Sequence, residues 1–184
     1  MKRFLTLLTI ALGLVLINHS CKPDSQKCVD LGLPSGLKWA TCNVGANSPE
    51  EYGSYLTFNE ACDTTCDGLR MPTMDELEEL IKQCSRTWTE QNGVNGYKFT
   101  GPNGNSIFLP AAGFRNGSSL SAVGIAGHYW SSTQSRPLFD DSLFDDPLFD
   151  GMGMAECVTF ISVGLTRSHF IKDEDGLSVR LVSE

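Results

Sequence analysis

Two stretches near the carboxyl end hold the side chains best suited to recognition chemistry. The first is a repeat of Leu-Phe pairs and aspartates over 138–150, and the second is a polar segment with little periodicity over 166–175. Aromatic rings give a large contact area at low entropic cost. We therefore predict a ligand-binding surface, with its aromatic members in loops, formed by Phe139, Asp141, Phe144, Asp145, Phe149, Arg167, His169, Phe170 and Lys172.

The same side chains do not form a recognisable metal or catalytic centre. Aspartates suit calcium, but a short repeat interrupted by prolines does not bring several oxygens to one point. Ser131 and Ser132 lack the glycine elbow of a nucleophile, and we expect His128 to be packed or solvated rather than to act as a base. No phosphate-binding glycine loop is present. The sequence predicts neither an enzyme nor a cofactor.

The amino terminus has the pattern of a secretory signal. Lys2 and Arg3 precede an apolar stretch over 4–17 that is too short to favour a membrane span. A small residue, Ser20, comes directly before Cys21, as in a lipoprotein cleavage site. We predict a signal peptide over 1–20, lipidation of Cys21, a tether over 21–27, and a position at the outer membrane or cell surface.

Net charge and cysteine content bear on the possible partners of the protein and on the state of its thiols. The net charge of −8 argues against nucleic acid as a partner, since nucleic acids attract clustered basic residues. The cysteines besides Cys21 are compatible with structural disulfides or with free buried thiols, and spacing does not select among the pairings. They are Cys28, Cys42, Cys62, Cys66, Cys84 and Cys157.

Local patterns predict a single α+β domain over 28–184. Thr57 and Thr73 each stand three residues before a glutamate, which is the spacing of a helix capping box, and the second helix is predicted to end near Gln83. A hairpin is predicted from 97–100 and 106–110 around a Gly-Pro-Asn-Gly turn. Further strands are expected at 38–41, 129–132, 156–162 and 177–182.

Two regular segments enclose the candidate surface. Residues 129–132 precede it and residues 176–180 follow it, and both are predicted to be strands that hold its ends. These two segments are called the frame below. Loops on a rigid frame are where binding residues commonly lie. We expect Trp130, Phe160 and Val179 to be buried and the run 138–150 to be accessible.

Five segments in this order resemble the Fibrobacter succinogenes major paralogous domain, a family common in exported lipoproteins of Bacteroides and its relatives. The segments are VDLGLPSGLKWATCNVGA (29–46), CDGLRMPT (66–73), LPAAGFR (109–115), YWSS (129–132) and GLSVR (176–180). The resemblance implies a C-type-lectin-like fold, related to the formylglycine-generating enzymes and to variable proteins diversified by retroelements. In those variable proteins the ligand-binding residues lie between motifs like Trp130-Ser131-Ser132 and Ser178-Val179-Arg180.

These observations favour an exported, lipid-anchored protein that binds a protein or glycan ligand through a C-terminal loop surface open to diversification. Two alternatives stay open. One is a structural lipoprotein of the cell envelope without a specific ligand. The other is a catalytically degenerate relative of the formylglycine-generating enzymes, although those depend on a cysteine pair near the C-terminus and this chain has only Cys157 there.

Overall fold

The computed structural model describes residues 27–64, 68–134, 154–171 and 174–183, which form two helices and twelve short strands. The helices are α1 (Phe58–Asp63) and α2 (Met74–Gln83). The strands are β1 (Cys28–Asp30), β2 (Lys38–Ala40), β3 (Ser85–Gln91), β4 (Val94–Thr100), β5 (Ser106–Pro110), β6 (Phe114–Asn116), β7 (Ser119–Ser121), β8 (Ala126–Gln134), β9 (Met154–Ile161), β10 (Gly164–Ile171), β11 (Asp175–Gly176) and β12 (Val182–Ser183). The protein is therefore mixed α+β, as the sequence predicts.

Both helices begin where the capping pattern places them. Thr57 and Thr73 are the N-caps, and each forms the reciprocal hydrogen bonds of a capping box with the glutamate three residues later. Arg70 adds a bidentate ion pair to Glu76 at 2.7 and 2.8 Å. Hydrogen bonding from Arg70 is the main reason that the pKa of Glu76 is lowered, so the carboxylate stays ionised at the positive end of α2.

The strands form four three-stranded antiparallel sheets. Their strand orders are β1-β2-β12, β3-β4-β5, β11-β6-β7 and β10-β9-β8. The predicted hairpin is β4 and β5, and β3 is an additional strand at its outer side. The turn between β3 and β4 is Asn92-Gly93, with φ of 50° and 83°, which is a conformation that this dipeptide favours.

One apolar cluster joins α2 to residues of three of the sheets. Leu77 and Leu80 of the helix belong to the same cluster as Phe99 of β4 and Phe160 of β9. The Phe160 ring also accounts for the glycine at position 127 of the neighbouring strand β8, because a Cβ there would lie only 2.2 Å from the ring. The predicted burial of Phe160 is confirmed.

A second apolar cluster occupies the other face of the β10-β9-β8 sheet. Trp130, Cys157 and Val179 are among its fully buried members, and Phe58 of α1 packs edge-on against Trp130 at 5.7 Å between ring centroids. The predictions that Trp130 and Val179 are buried are therefore confirmed.

Two predictions about the C-terminal region are corrected. The polar segment that begins at Thr166 is not a loop, because residues up to 171 form β10 and pair with the whole length of β9. The strand expected over 177–182 is broken at 179–181, since the chain leaves one sheet after β11 and joins another at β12. In both places the partner strand, rather than the local pattern, decides the conformation.

Candidate ligand-binding surface

The two predicted flanking segments lie side by side. Tyr129 of β8 and Ser178 form a parallel bridge. The backbone N–H of Trp130 donates to the Ser178 carbonyl at 3.1 Å, and the Ser178 N–H donates to the His128 carbonyl at 3.1 Å. The interval 133–175 consequently leaves and rejoins the fold at neighbouring points, although residues 177–178 contribute isolated bridges rather than a continuous strand.

Side chains fix both ends of that interval. The Thr133 hydroxyl accepts a hydrogen bond of 3.0 Å from the backbone N–H of Met74 at the start of α2. At the other end, the Asn116 side-chain amide donates to the Asp175 carboxylate at 2.9 Å. Between these points the β9–β10 hairpin folds back onto β8, so part of the interval is built into the core.

Arg180 joins the frame to the rest of the domain. Its side chain is 1% exposed. The guanidinium donates five hydrogen bonds, all to neutral oxygens: two to Asn43 Oδ1 and one each to the carbonyls of Ala40, Thr41 and Phe108, at 2.9 to 3.1 Å. Burial lowers the pKa of Arg180. The residue thus ties the end of β2, the following segment and β5 to the frame.

Tyr129 extends this network into the apolar core. Its hydroxyl donates to the Pro110 carbonyl at 2.9 Å and accepts from the Asn43 side-chain amide at 3.2 Å. Complete burial raises the pKa of Tyr129 to about 12, so the phenol is neutral across the physiological range. Asn43 connects Tyr129 to Arg180 because its amide group donates to one and accepts from the other.

Arg167 lies on β10 and faces α2. Its guanidinium forms an ion pair with Glu156 of β9 and approaches Glu78 of α2 at 3.7 Å. About half of the Arg167 side chain is exposed. His169 lies two residues further along β10, opposite Glu156 in the register, and therefore on the same face. These two predicted site residues share one surface.

Phe170 lies on the opposite face of β10, where it contacts aromatic side chains instead of solvent-facing groups. Its ring is 5.3 Å from Phe114 and 5.1 Å from His128, measured between centroids in edge-to-face geometry. The prediction that His169 and Phe170 lie in loops was wrong, since the β9 register places both in a strand. Alternation along that strand sends Phe170 toward the buried Trp130 cluster.

The remaining predicted site residues fall outside the described part of the chain. They are Cys21, Phe139, Asp141, Phe144, Asp145, Phe149 and Lys172. The same holds for the signal segment 1–20, for Cys66, for the tether except Lys27, and for the run 138–150.

The polar groups near the frame are arranged as core contacts. His128 is buried, and its Nδ1 lies 2.9 Å from the Thr159 hydroxyl, while burial lowers its pKa to about 4. The Ser131 hydroxyl donates to the Glu156 carbonyl at 3.0 Å. His128 is therefore packed, as predicted, and is a neutral imidazole at pH 7.

Three cysteines carry free thiols in buried or nearly buried positions: Cys42, Cys84 and Cys157. Burial raises the pKa of Cys157 to about 12, which keeps it a neutral thiol. Of the two interpretations offered by the sequence, buried thiols apply to these three residues.

Exposed apolar side chains at one end of the β10-β9-β8 sheet were not among the predicted site residues. Val163 in the β9–β10 turn is 87% exposed and Ile125 before β8 is 66% exposed. Ile161 is paired with Ala126, which brings the turn close to Ile125. The chain is acidic, but the segments 116–127 and 157–166 around these side chains contain no charged residue. This local lack of charge is the sequence signal that could have predicted the exposed apolar surface.

Among the described residues there is no helix that is both long enough and apolar enough to cross a membrane. No family model matches the chain, and neither the curated proteins nor the solved structures contain a match.

Proposed function

We propose that this chain is an exported, lipid-anchored recognition protein that binds a protein or glycan ligand through the surface carried by residues 133–175. The observation that supports this function best is the closed frame, in which Trp130 and Ser178 are hydrogen-bonded at 3.1 Å. A frame of this kind holds the two ends of a long interval together. The part of the interval outside the β9–β10 hairpin can then change in sequence without altering the entry and exit points, whereas the hairpin contributes Cys157 and Phe160 to the core.

The strand β10 adds a second element of support. It is the outer strand of its sheet, and it presents Arg167 and His169 on one face beside the carboxylates of Glu78 and Glu156. Mixed charge on an outer strand suits a polar ligand better than an apolar one. The residues of 138–150 supply the aromatic part of the proposed surface.

The proposed fold is the C-type-lectin-like fold of the Fibrobacter succinogenes major paralogous domain. The motifs that carry this resemblance coincide with the parts that hold the frame: Trp39 is in the core, Tyr129 and Trp130 form the bridge, and Arg180 is the buried hydrogen-bonding hub. The domain acts without catalysis in this proposal, with Cys21 as its lipid attachment point.

The binding role is tested with residues 22–184, which lack the signal segment and Cys21, on arrays of defined oligosaccharides and purified extracellular-matrix proteins. In one variant 138–150 is replaced by a Gly-Ser segment of equal length, in another Arg167 and His169 are both changed to Ala, and Arg86→Ala on β3 is the control. We expect the first two to lose binding of any array component that the unchanged chain recognises, with circular dichroism and the unfolding midpoint showing that the fold is kept.

Recognition of no array component, or binding that survives both surface variants, would instead favour the envelope-structural alternative. The anchor is tested separately by metabolic labelling with a fatty-acid analogue, comparing the full chain with Cys21→Ala. Label that persists in the variant would remove Cys21 as the attachment point.

A further inference from the structure

A cavity of about 170 Å³ lies beside residues 41 and 49, next to the face of the β3-β4-β5 sheet that carries Lys98 and Phe108. It is lined by Thr41, Pro49, Gln91, Lys98, Ser106 and Phe108, together with Ile107. The register explains the grouping, because Lys98 pairs with Phe108, and Thr100 pairs with Ser106, so alternate residues of β4 and β5 share this face.

The lining combines a cation with neutral polar groups. Lys98 is exposed, and within the described residues no carboxylate forms an ion pair with it. Thr41 and Ser106 bring hydroxyl groups, and Pro49 and Phe108 bring apolar surface. Glu50 follows Pro49 in the chain, and its carboxylate accepts hydrogen bonds from the side-chain amides of Asn92 and of Gln91, which lines the cavity.

A second cation lies directly behind the cavity wall. Arg180 donates to the carbonyl oxygens of Thr41 at 2.9 Å and of Phe108 at 2.9 Å, and both residues line the cavity. All five of its hydrogen bonds go to neutral oxygens, so no carboxylate of the described residues is hydrogen-bonded to its positive charge. Low-dielectric surroundings carry the field of such a charge further than water does.

The volume of the cavity is close to that of one small ring. An engineered apolar cavity of about 150 Å³ accommodates benzene, so about 170 Å³ suits a single six-membered ring with small substituents. Hydroxyl groups and one ammonium in the lining match a ring that bears hydroxyls and one negative charge.

We propose that this cavity binds a small ring-shaped carboxylate of the sugar-acid class, with the carboxylate at Lys98 and the ring against Phe108 and Pro49. The residues that line the cavity all lie outside 133–175, and the proposal does not depend on the function proposed for that interval. Glu50 limits the affinity, because its carboxylate repels a bound anion.

The test is a titration of residues 22–184 with glucuronate, followed by amide chemical shifts in nuclear magnetic resonance. We expect saturable shifts centred on residues 41, 98 and 106–108. Lys98→Gln should weaken binding about tenfold, which is the usual effect of losing one charge-assisted hydrogen bond. Lys82→Gln is the matched control, because it removes the same charge from an exposed position on α2.

Two more measurements separate this site from alternatives. Glucose, which has the ring without the carboxylate, should bind at least tenfold more weakly than glucuronate. Glu50→Gln should strengthen glucuronate binding. The variant that replaces 138–150 should bind glucuronate unchanged, so a failure of the frame-surface proposal would leave this one standing.

The proposal is overturned if the unchanged chain gives no saturable shifts, or if Lys98→Gln and Lys82→Gln bind glucuronate equally well. Equal binding of glucose and glucuronate would overturn it as well. Lys98 is an exposed strand residue, so the fold of the variant is checked by its unfolding midpoint in urea before binding is compared.

Discussion

The two arginines near the carboxyl end differ in almost every physical respect. Arg180 is buried and donates five hydrogen bonds to neutral oxygens, whereas Arg167 is half-exposed and pairs with the carboxylates of Glu156 and Glu78. Arg180 connects the frame to the rest of the domain, and Arg167 lies on the surface of the outer strand β10. A buried cation with five hydrogen bonds should cost more to remove than a half-exposed cation, because its acceptors would be left without a donor and without access to water.

Removing the buried cation should change the free energy of unfolding more than any other substitution considered. Arg180→Met leaves Asn43 Oδ1 and three backbone carbonyls without their donor, and each buried group left unpaired costs about 1–3 kcal/mol. We expect the free energy of unfolding to fall by about 4 kcal/mol or more, measured in urea. The control is Arg86→Met, which removes a single hydrogen bond to the Ile81 carbonyl at an exposed position. Equal losses in the two variants would contradict the role of Arg180.

Acid titration compares the two histidines of the same sheet. Burial lowers the pKa of His128 to about 4 from 6.5, so the unfolded chain binds a proton more readily than the folded chain below pH 6.5. The stability contributed by neutral His128 is present above pH 6.5 and is lost as the pH falls toward 4, by about 2 kcal/mol after allowance for its partial access to solvent. Urea unfolding at pH 7 and pH 5 measures the loss.

His128→Gln should flatten that acid dependence, and His169→Gln on the outer strand is the matched control. Since Glu76 and Glu78 titrate at lower pH, their lowered pKa values place their main effect below this window. An acid dependence that is unchanged in His128→Gln and reduced in His169→Gln would show that the assignment is wrong.

The smallest effect is expected at Arg167. The Arg167 side chain is 47% exposed, whereas Glu78 and Glu156 are 34% and 11% exposed, so these pairs lie between the surface kind and the buried kind. Arg167→Gln should therefore lower the free energy of unfolding by about 1 kcal/mol, and the share due to Glu78 should shrink in high salt. A double-mutant cycle with Glu156→Gln measures the pair itself. A loss as large as that of Arg180→Met would remove the distinction between the two arginines.

Local signals were sufficient for several elements. The threonines at 57 and 73 predict both helix starts because a capping box involves only residues close in sequence. The β4–β5 hairpin follows from its turn residues for the same reason. The burial of Trp130, Phe160 and Val179 was also predicted, since large apolar side chains in a strand pattern seldom stay exposed.

Other elements needed the tertiary structure. Most residues of β3 are polar and exposed, so the strand has no apolar pattern. The Asn92-Gly93 turn is the sequence feature that indicates it. The strand β10 was expected to be a loop, because its polar residues face solvent or Glu156 and give no apolar periodicity. The hub role of Arg180 was not predicted at all, because its acceptors lie about 70 to 140 positions away in sequence.

The α+β class, both capped helices, the hairpin and the two segments that flank the candidate surface can all be predicted from local sequence patterns. The tertiary structure alone decided that residues 129 and 178 lie side by side, that Arg167 and Phe170 face opposite sides of one strand, and that a cavity forms beside Lys98. The reason is the range of the interactions. Caps and turns are satisfied within a few residues, whereas strand pairing and buried hydrogen bonds depend on segments that meet only when the whole chain has folded.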